Sequence, residues 1–146
     1  MAKNPIKKGD TMEIYVDGAS RGNRGPSAYA YIFVKKDEGK FHQGYDYIGN
    51  QTNNTAEYTA IIEALKEAEK FTRWDIKIFS DSELVVKQLN KEYRIKADHL
   101  SKLCNEVYTL RGKFESVEFY HVRRTHHYIQ KCDAFCNKCL DEMGFK

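Results

Sequence analysis

The chain has 146 residues, of which 41% are hydrophobic and 31% are charged. This length and balance suit one globular domain that can fold without a disulfide or a metal, and they exclude a disordered chain. The formal net charge of +3 is too small to identify a nucleic-acid-binding protein by itself, and no apolar run is long enough to cross a membrane.

The N-terminal segment carries three lysines and lacks the apolar stretch of a secretory signal. We therefore predict a flexible lead-in over residues 1–11 and a single folded domain over residues 12–146. A cytoplasmic location is the expectation for such a chain, and its few cysteines agree with a reducing compartment.

The next part of the chain predicts three short strands over residues 12–16, 27–35 and 41–48. Asp17-Gly18 directly follows the first strand, and a glycine-containing loop runs from Gly18 to Pro26. Because the strands are joined by short connections, they indicate an antiparallel meander.

From residue 53 onward the apolar residues recur mainly at helical spacing. This pattern predicts helices over residues 53–71, 82–90, 98–110 and 131–143, with short strands over 75–79 and 116–122. A meander followed by crossover helices predicts a mixed sheet whose later strands are parallel. The first helix opens with Asn54-x-x-Glu57, which fits a capping box.

Three of the four cysteines lie on the last predicted helix, at the spacing of one helical face. Such a stripe favours a buried core face, because free cysteines pack as small hydrophobic residues. The alternative is a zinc site completed by one of two nearby histidines. The residues concerned are Cys132, Cys136 and Cys139, with His126 or His127.

Four acidic residues stand at the ends of predicted elements. Each of them alone suits an ordinary turn or helix start, but a mixed sheet would bring these ends into one crevice, where like charges repel unless a cation holds them. Magnesium prefers such oxygen ligands, and two ions about 4 Å apart suit in-line attack on a phosphodiester. The four are Asp17 after the first strand, Glu57 in the first helix, Asp81 after the fourth strand, and Asp133 in the first turn of the last helix.

These residues also carry a resemblance to type 1 ribonuclease H, also called ribonuclease HI, over about residues 12–143. The most specific segment is Thr52-Asn53-Asn54-Thr55-Ala56-Glu57. The others, in chain order, are Asp17-Gly18-Ala19-Ser20 with Asn23 and Gly25-Pro26, Ser80-Asp81-Ser82, and Cys132-Asp133.

The resemblance implies an α/β fold of the ribonuclease H-like type. Its five-stranded mixed sheet would have three antiparallel strands and then two parallel ones, with helices on both faces. The implied activity is magnesium- or manganese-dependent hydrolysis of the RNA strand in RNA–DNA hybrids, leaving 5′-phosphate and 3′-hydroxyl ends. We expect a monomer with no obligate protein partner and no membrane association.

The resemblance also implies roles for particular residues. The four carboxylates would be catalytic metal ligands, and Glu57 would also meet the ribose 2′-hydroxyl, which distinguishes RNA from DNA. If Glu57 serves that purpose, the capping box should not form. Asn23, Asn53 and Asn54 would contact substrate, Thr52 would hold a DNA-strand phosphate, Tyr93 would lie beside the DNA strand, and His126, with His127 as the alternative, would assist proton transfer or product release.

Two departures from the family pattern affect the expected specificity. Glu83 stands where many members have glutamine, and the lysine-rich protrusion that some bacterial members carry is absent. We therefore predict modest affinity for hybrid, since phosphate contacts supply much of it. The alternatives are a nuclease of broader specificity that includes double-stranded RNA, and a non-catalytic nucleic-acid-binding module on the same fold.

Overall fold

The computed structural model describes residues 6–145, which form nine helices and strands. Their order, βββαβααβα, is the predicted one. The elements are β1 Thr11–Ser20, β2 Gly25–Lys35, β3 Gly39–Gln51, α1 Asn53–Ala68, β4 Asp75–Ser80, α2 Glu83–Leu89, α3 Asp98–Arg111, β5 Ser116–His121 and α4 His127–Glu142.

The strands form one five-stranded sheet in the order β3-β2-β1-β4-β5. The β1–β2 and β2–β3 pairs are antiparallel, whereas the β1–β4 and β4–β5 pairs are parallel. The predicted α/β fold with a mixed sheet is confirmed. Parallel pairing follows from the crossover helices, because a strand that returns through a helix enters the sheet in the same direction.

Two apolar cores lie on opposite faces of the sheet. On one face α1 packs against β1 and β2, where the buried residues include Met12, Ile14 and Val16 of β1, and α3 packs against α1. On the other face α4 packs against β1, β2 and β3. The second core contains Tyr15, Ala28, Ala30, Ile32, Val34, Ile129, Cys132, Cys136, Cys139 and Leu140.

Strand β1 is longer than predicted, so Asp17 lies within the strand rather than after it. The antiparallel ladder with β2 continues through Asp17↔Ala30 to Ser20↔Ser27. On its other side, β1 pairs with β4 only as far as Tyr15↔Phe79. Asp17 therefore lies where β1 has lost one of its two neighbouring strands, and this opens a crevice beside it.

Helix α4 begins earlier than predicted, at His127. His126 is its N-cap, and the Nδ1 atom of His126 accepts a hydrogen bond from the Tyr128 amide at 3.2 Å. Ile129 is fully buried and continues the cysteine stripe toward the N-terminus, so burial favours an earlier start. The predicted position of Asp133 in the first turn is consequently wrong, and Asp133 lies in the second turn.

The cysteine stripe is part of the core beneath α4. Cys132 and Cys136 are fully buried, and their thiols lie 3.5 Å and 3.7 Å from the carbonyl oxygens of Tyr15 and Asp17. Burial raises the pKa of both thiols, which disfavours the thiolate form that binds zinc. Within residues 6–145 the cysteines belong to no group that could hold a metal. The buried-face interpretation is therefore the better one.

The predicted N-terminal lead-in falls partly on residues 1–5, which lie outside the described residues. Ile6, by contrast, is 2% exposed and belongs to the core on the α1 face. The packed domain thus includes part of the segment that we expected to be flexible. Among residues 6–145, none of the helices has the length and apolarity that a membrane span requires.

Candidate active site

A polar crevice opens where β1 loses its β4 neighbour, between the start of α1 and one side of α4. Its volume is about 340 Å³. Side chains from both ends of the chain meet there because β1 lies at the centre of the sheet. The lining residues are Asp17, Gly18, Ala19, Asn53, Asn54, Glu57, Asp81, Ser82, Arg124 and Asp133.

Three of the four predicted acidic residues form a tight cluster in this crevice. Carboxylate oxygens of Asp17, Glu57 and Asp81 lie within 4.8 Å of one another. Asp17 and Glu57 are buried, at 6% and 5% exposed, and Asp81 is half-buried. Within the described residues this is the one group of His, Cys, Asp or Glu side chains close enough to share a metal.

Glu57 is held rigidly by donors from two strands. Its Oε1 accepts from the Gly18 amide at 3.1 Å, and its Oε2 accepts from the Ser80 hydroxyl at 3.1 Å. The capping box does not form. Thr52 is the N-cap instead, and its hydroxyl accepts from the Thr55 amide at 3.2 Å. Glu57 is thus directed into the crevice, as expected if it does not serve the cap.

Glycine is required at position 18, since the backbones of β1 and α1 touch there. A Cβ atom at Gly18 would lie 2.3 Å from the carbonyl carbon of Ala56 and 2.5 Å from the amide nitrogen of Glu57. No side chain fits at such distances. This close approach also lets the Gly18 amide reach the Glu57 carboxylate, so one residue both packs the helix and orients the acid.

The protonation of the buried pair reflects the crowding of negative charge. Burial, together with repulsion by Glu57, raises the pKa of Asp17 well above its ordinary value. Burial also raises the pKa of Glu57, although hydrogen bonds from Gly18 and Ser80 oppose that shift. A divalent cation would offset the burial of the two carboxylate charges and their mutual repulsion, because it attracts hard oxygen ligands. The donor set therefore fits a hard divalent cation.

Asp133 lies at the rim of the same crevice and outside the tight cluster. It is exposed on α4, yet it is close enough to contribute to the repulsion that raises the pKa of Asp17. Across the rim, the Nε of Arg124 lies 3.5 Å from Asp81 Oδ2, and the Arg124 side chain is 90% exposed. Because the guanidinium is almost fully solvated, although the Asp81 side chain is only 12% exposed, this ion pair contributes little to stability.

The predicted substrate residues Asn23, Thr52, Asn53 and Asn54 lie together at one edge of the crevice, which we call the substrate lip. Asn23, in the β1–β2 loop, accepts from the Asn53 amide at 2.8 Å, and the Asn53 side chain accepts from the Ser20 amide at 2.9 Å. Asn53 and Asn54 both line the crevice. Thr52 caps the helix directly before them. The structure thus brings all four residues to one edge of the crevice.

Two predicted residues lie apart from the carboxylate crevice. His126 stacks on Tyr15, with ring centroids 4.7 Å apart, and lines a separate cavity beside the β5–α4 connection. Tyr93 is 44% exposed and lines a cavity between α2 and α3, with the ammonium of Lys87 4.9 Å from its ring centroid. The roles of both remain predictions.

The contact of Ser80 with Glu57 was not predicted from the sequence. The signal lies in β4, where Ile76, Ile78 and Ser80 are buried on alternate positions. A hydroxyl at the last inward-facing position of a strand needs a hydrogen-bond partner, and the nearest acid across the sheet end supplies it. Asn137, which contacts Asp133, was also missed.

Comparisons with known proteins agree with this geometry. A family model described as "Reverse transcriptase-like" matches residues 15–139. The chain is 38% identical to a protein named ribonuclease HI from Halobacterium salinarum, over 135 residues that cover 92% of this chain and 67% of that protein. Some mycobacterial relatives are longer, and the chain spans 35% of their length.

Solved structures with the same fold extend over nearly the whole chain. The crystal structure of RNase H1 from Halobacterium salinarum has a TM-score of 0.85 at 37% identity, covering 90% of this chain and 98% of that one. The structure of LC11-RNase H1 in complex with an RNA/DNA hybrid also has a TM-score of 0.85, at 28% identity and with the same coverage.

Proposed function

Since the chain belongs to the ribonuclease HI family, we propose that it is an endoribonuclease that hydrolyses the RNA strand of RNA–DNA hybrids. The products would carry 5′-phosphate and 3′-hydroxyl ends. The observation that carries this proposal is the cluster of Asp17, Glu57 and Asp81, whose oxygens lie within 4.8 Å in an open polar crevice. A binding module would have no need of three mutually repelling acids.

The proposal assigns the four carboxylates as ligands of divalent cations, with Mg²⁺ as the natural ion and Mn²⁺ as a substitute. Asp17, Glu57 and Asp81 would form the buried part of the site, and Asp133 would complete it from the rim. Two cations held there would activate a water molecule and stabilise the leaving oxygen. The burial of Asp17 and Glu57 fixes the positions of their carboxylates.

Selectivity for RNA is assigned to Glu57 and to the substrate lip. The contacts from Gly18 and Ser80 hold Glu57 in place and leave lone pairs of its carboxylate free to accept from a ribose 2′-hydroxyl. Asn23, Asn53 and Asn54 offer short amides, which suit sugar and minor-groove edges without demanding one sequence. Thr52 would hold a DNA-strand phosphate, and Tyr93 would lie beside that strand.

The proposal also includes a monomeric, cytoplasmic protein. All four carboxylates come from one chain, so the crevice needs no second copy to complete it. All four cysteines are free and buried, which suits a reducing compartment.

The decisive experiment compares hybrid cleavage by the wild type and by Asp81→Asn in the presence of Mg²⁺. We expect the substitution to reduce the cleavage rate on the order of 10³-fold, because an amide cannot replace a charged metal ligand. The matched control is Asp37→Asn, the same chemical change on an exposed turn at the far end of the sheet. Equal cleavage by wild type and Asp81→Asn would refute the catalytic assignment.

The same assay decides substrate class. Hybrid, double-stranded RNA and double-stranded DNA are supplied at equal concentration, and we expect cleavage of the hybrid alone. Cleavage of double-stranded RNA at a comparable rate would establish the broader specificity instead. Binding of hybrid by the wild type without cleavage under any divalent cation would establish the non-catalytic module.

His126 and His127 are tested separately. We expect His126→Ala to lower kcat by about 10²-fold, the low end of the range for a lost proton-transfer group, while His127→Ala leaves kcat unchanged. The His126 ring also caps α4 and stacks on Tyr15, so thermal unfolding is measured alongside. If the fall in kcat is fully explained by the fraction of His126→Ala that is unfolded, or if neither variant changes kcat, neither histidine has a catalytic role.

A further inference from the structure

Asp133 differs from the other three carboxylates because it is exposed, so that packing does not fix its side chain. Asp17 and Glu57 are enclosed by the protein, and Asp81 is half-buried next to the Ser82 N-cap. Asp133 projects from the second turn of α4 and is exposed. An exposed aspartate samples several rotamers unless a neighbour fixes it. Its orientation toward the crevice therefore depends on what it contacts.

The contact is supplied by Asn137, one helical turn further along α4. The Nδ2 atom of Asn137 donates to the carbonyl oxygen of Asp133 at 3.1 Å and lies 3.4 Å from its carboxylate Oδ2. On its other side, the Oδ1 atom of Asn137 accepts from Nη2 of Arg21 at 3.2 Å. One amide thus links a guanidinium to the fourth carboxylate.

The chemistry of Arg21 determines which way this amide faces. A guanidinium only donates hydrogen bonds, so the oxygen of the Asn137 amide must face Arg21. The NH₂ group must then face Asp133, which can only accept when ionised. A reversed amide would place two donors together and two acceptors together. Arg21 therefore acts on Asp133 through the polarity of Asn137.

Arg21 is itself immobilised on α4. Its guanidinium also donates to the carbonyl oxygens of Asn137 and Phe145 and forms an ion pair with Asp141 at 2.9 Å. The Arg21 side chain is 24% exposed, whereas that of Asp141 is 68% exposed. The loop that carries Arg21 is thus tied to the helix that carries Asp133.

The same loop is tied to α1 at its other end. Asn23, two residues after Arg21, accepts from the amide of Asn53, the first residue of α1. Glu57 lies one turn further along that helix. The four-residue connection between β1 and β2 is therefore hydrogen-bonded at one end to the helix of Asp133 and at the other to the helix of Glu57.

We propose that Arg21 and Asn137 are positioning residues that orient Asp133 toward the other three carboxylates and so complete the cation site. This inference rests on the proposed function for the identity of the cation. In this proposal, the side chains of Arg21 and Asn137 contact neither the substrate nor the metal. Their effect passes through the rotamer of Asp133, and the β1–β2 loop couples that rotamer to the substrate lip.

The test measures metal binding without substrate. Mg²⁺ is titrated into ¹⁵N-labelled wild type and Asn137→Ala, and the backbone amide of Asp133 is followed by NMR. We expect the Mg²⁺ concentration at half-change to rise about 3- to 10-fold in Asn137→Ala, the range for losing one hydrogen bond. In hybrid cleavage, kcat is expected to fall by a similar factor while KM for the hybrid is unchanged.

Asp141→Ala is the matched control. It removes the ion pair with Arg21 from the same helix face but leaves the Asn137 amide and its contact with Asp133 in place. We expect its Mg²⁺ midpoint to change by less than about 2-fold, because an exposed ion pair contributes little. Thermal unfolding of both variants reports any purely structural effect.

The outcomes separate the inference from the function on which it rests. If Asn137→Ala and Asp141→Ala have the same Mg²⁺ midpoint, whether both are shifted or both are unchanged, the positioning role is refuted although the wild type still cleaves hybrid. If the wild type fails to cleave hybrid, the proposed function is refuted, and the Mg²⁺ titration still decides whether Asn137 orients Asp133.

Discussion

Asp17→Asn is expected to abolish hybrid cleavage and, at the same time, to stabilise the metal-free protein. The loss of activity should be on the order of 10³-fold or more, as for other groups that act as a unit at a catalytic centre. The gain in stability has a different cause. Asp17 is 6% exposed and lies beside Glu57 and Asp81. Its carboxyl group must therefore either bear a buried, repelled charge or keep a proton against its ordinary pKa, and a neutral amide of the same shape avoids both costs.

The stability effect should depend on pH. The pKa of Asp17 is raised in the folded protein, chiefly by burial and then by repulsion from Glu57. The folded state therefore retains a proton that the unfolded state releases above about pH 4. Stability of the metal-free wild type is complete at low pH and decreases as pH rises from there toward the raised pKa. Asn at this position carries no such dependence.

The measurement is denaturant unfolding with a chelator present, at pH 5 and pH 8. We expect Asp17→Asn to exceed the wild type in free energy of unfolding by about 1–3 kcal/mol at pH 8, since one pKa unit corresponds to about 1.4 kcal/mol. At pH 5 the difference should be smaller. Asp37→Asn, on the exposed turn, is expected to show no difference at either pH. An Asp17→Asn protein that is less stable at both pH values would contradict the account.

The second large effect is expected for Gly18→Ala. The added methyl carbon would lie 2.3 Å from the carbonyl carbon and oxygen of Ala56, so β1 and α1 must separate. We expect a loss of at least about 3 kcal/mol in the free energy of unfolding, at the upper end for overpacking a well-packed contact. Because the Gly18 amide donates to Glu57, cleavage of hybrid should be lost even where the protein remains folded.

Gly112→Ala is the matched control for this prediction. Gly112 caps α3 with ordinary right-handed backbone angles, and the nearest atom to an added Cβ, the carbonyl oxygen of Thr109, lies 3.4 Å away. We expect a change within about 0.5 kcal/mol, either neutral or stabilising. Urea unfolding and Mg²⁺-dependent cleavage of both variants measure the comparison. Similar unfolding free energies for the two would refute the tight contact at Gly18.

Local patterns in the sequence predicted most of the fold. Alternating and helical spacing of apolar residues predicted all nine elements in order, since each element buries one face in an apolar core. The boundaries differed where tertiary contacts extend an element. Strand β1 continues through Asp17 because β2 pairs with it there, and α4 starts at His127 because Ile129 is buried and His126 caps the helix.

The acidic residues of the candidate site could be predicted from the sequence, but the side chains that hydrogen-bond to them could not. Asp17, Glu57, Asp81 and Asp133 stand in segments with a recognisable order, and all four line one crevice. The partners of these acids come from distant parts of the chain, as Ser80 does for Glu57 and as Arg21 does for Asp133 through Asn137. Such pairs leave no local pattern, because nothing in the chain near either residue indicates the other.

By itself, the sequence determined the family, the mixed sheet and which four acidic residues line the crevice, because these follow from local periodicity and from short ordered segments. Only the tertiary structure decided that Thr52 rather than Asn54 caps α1, that Glu57 is turned into the crevice, and that three acids share a buried cluster while Asp133 stays at its rim. The physical reason is that burial and long-range hydrogen bonds set the orientation of a side chain, and both exist only after β1, α1, β4 and α4 have packed together.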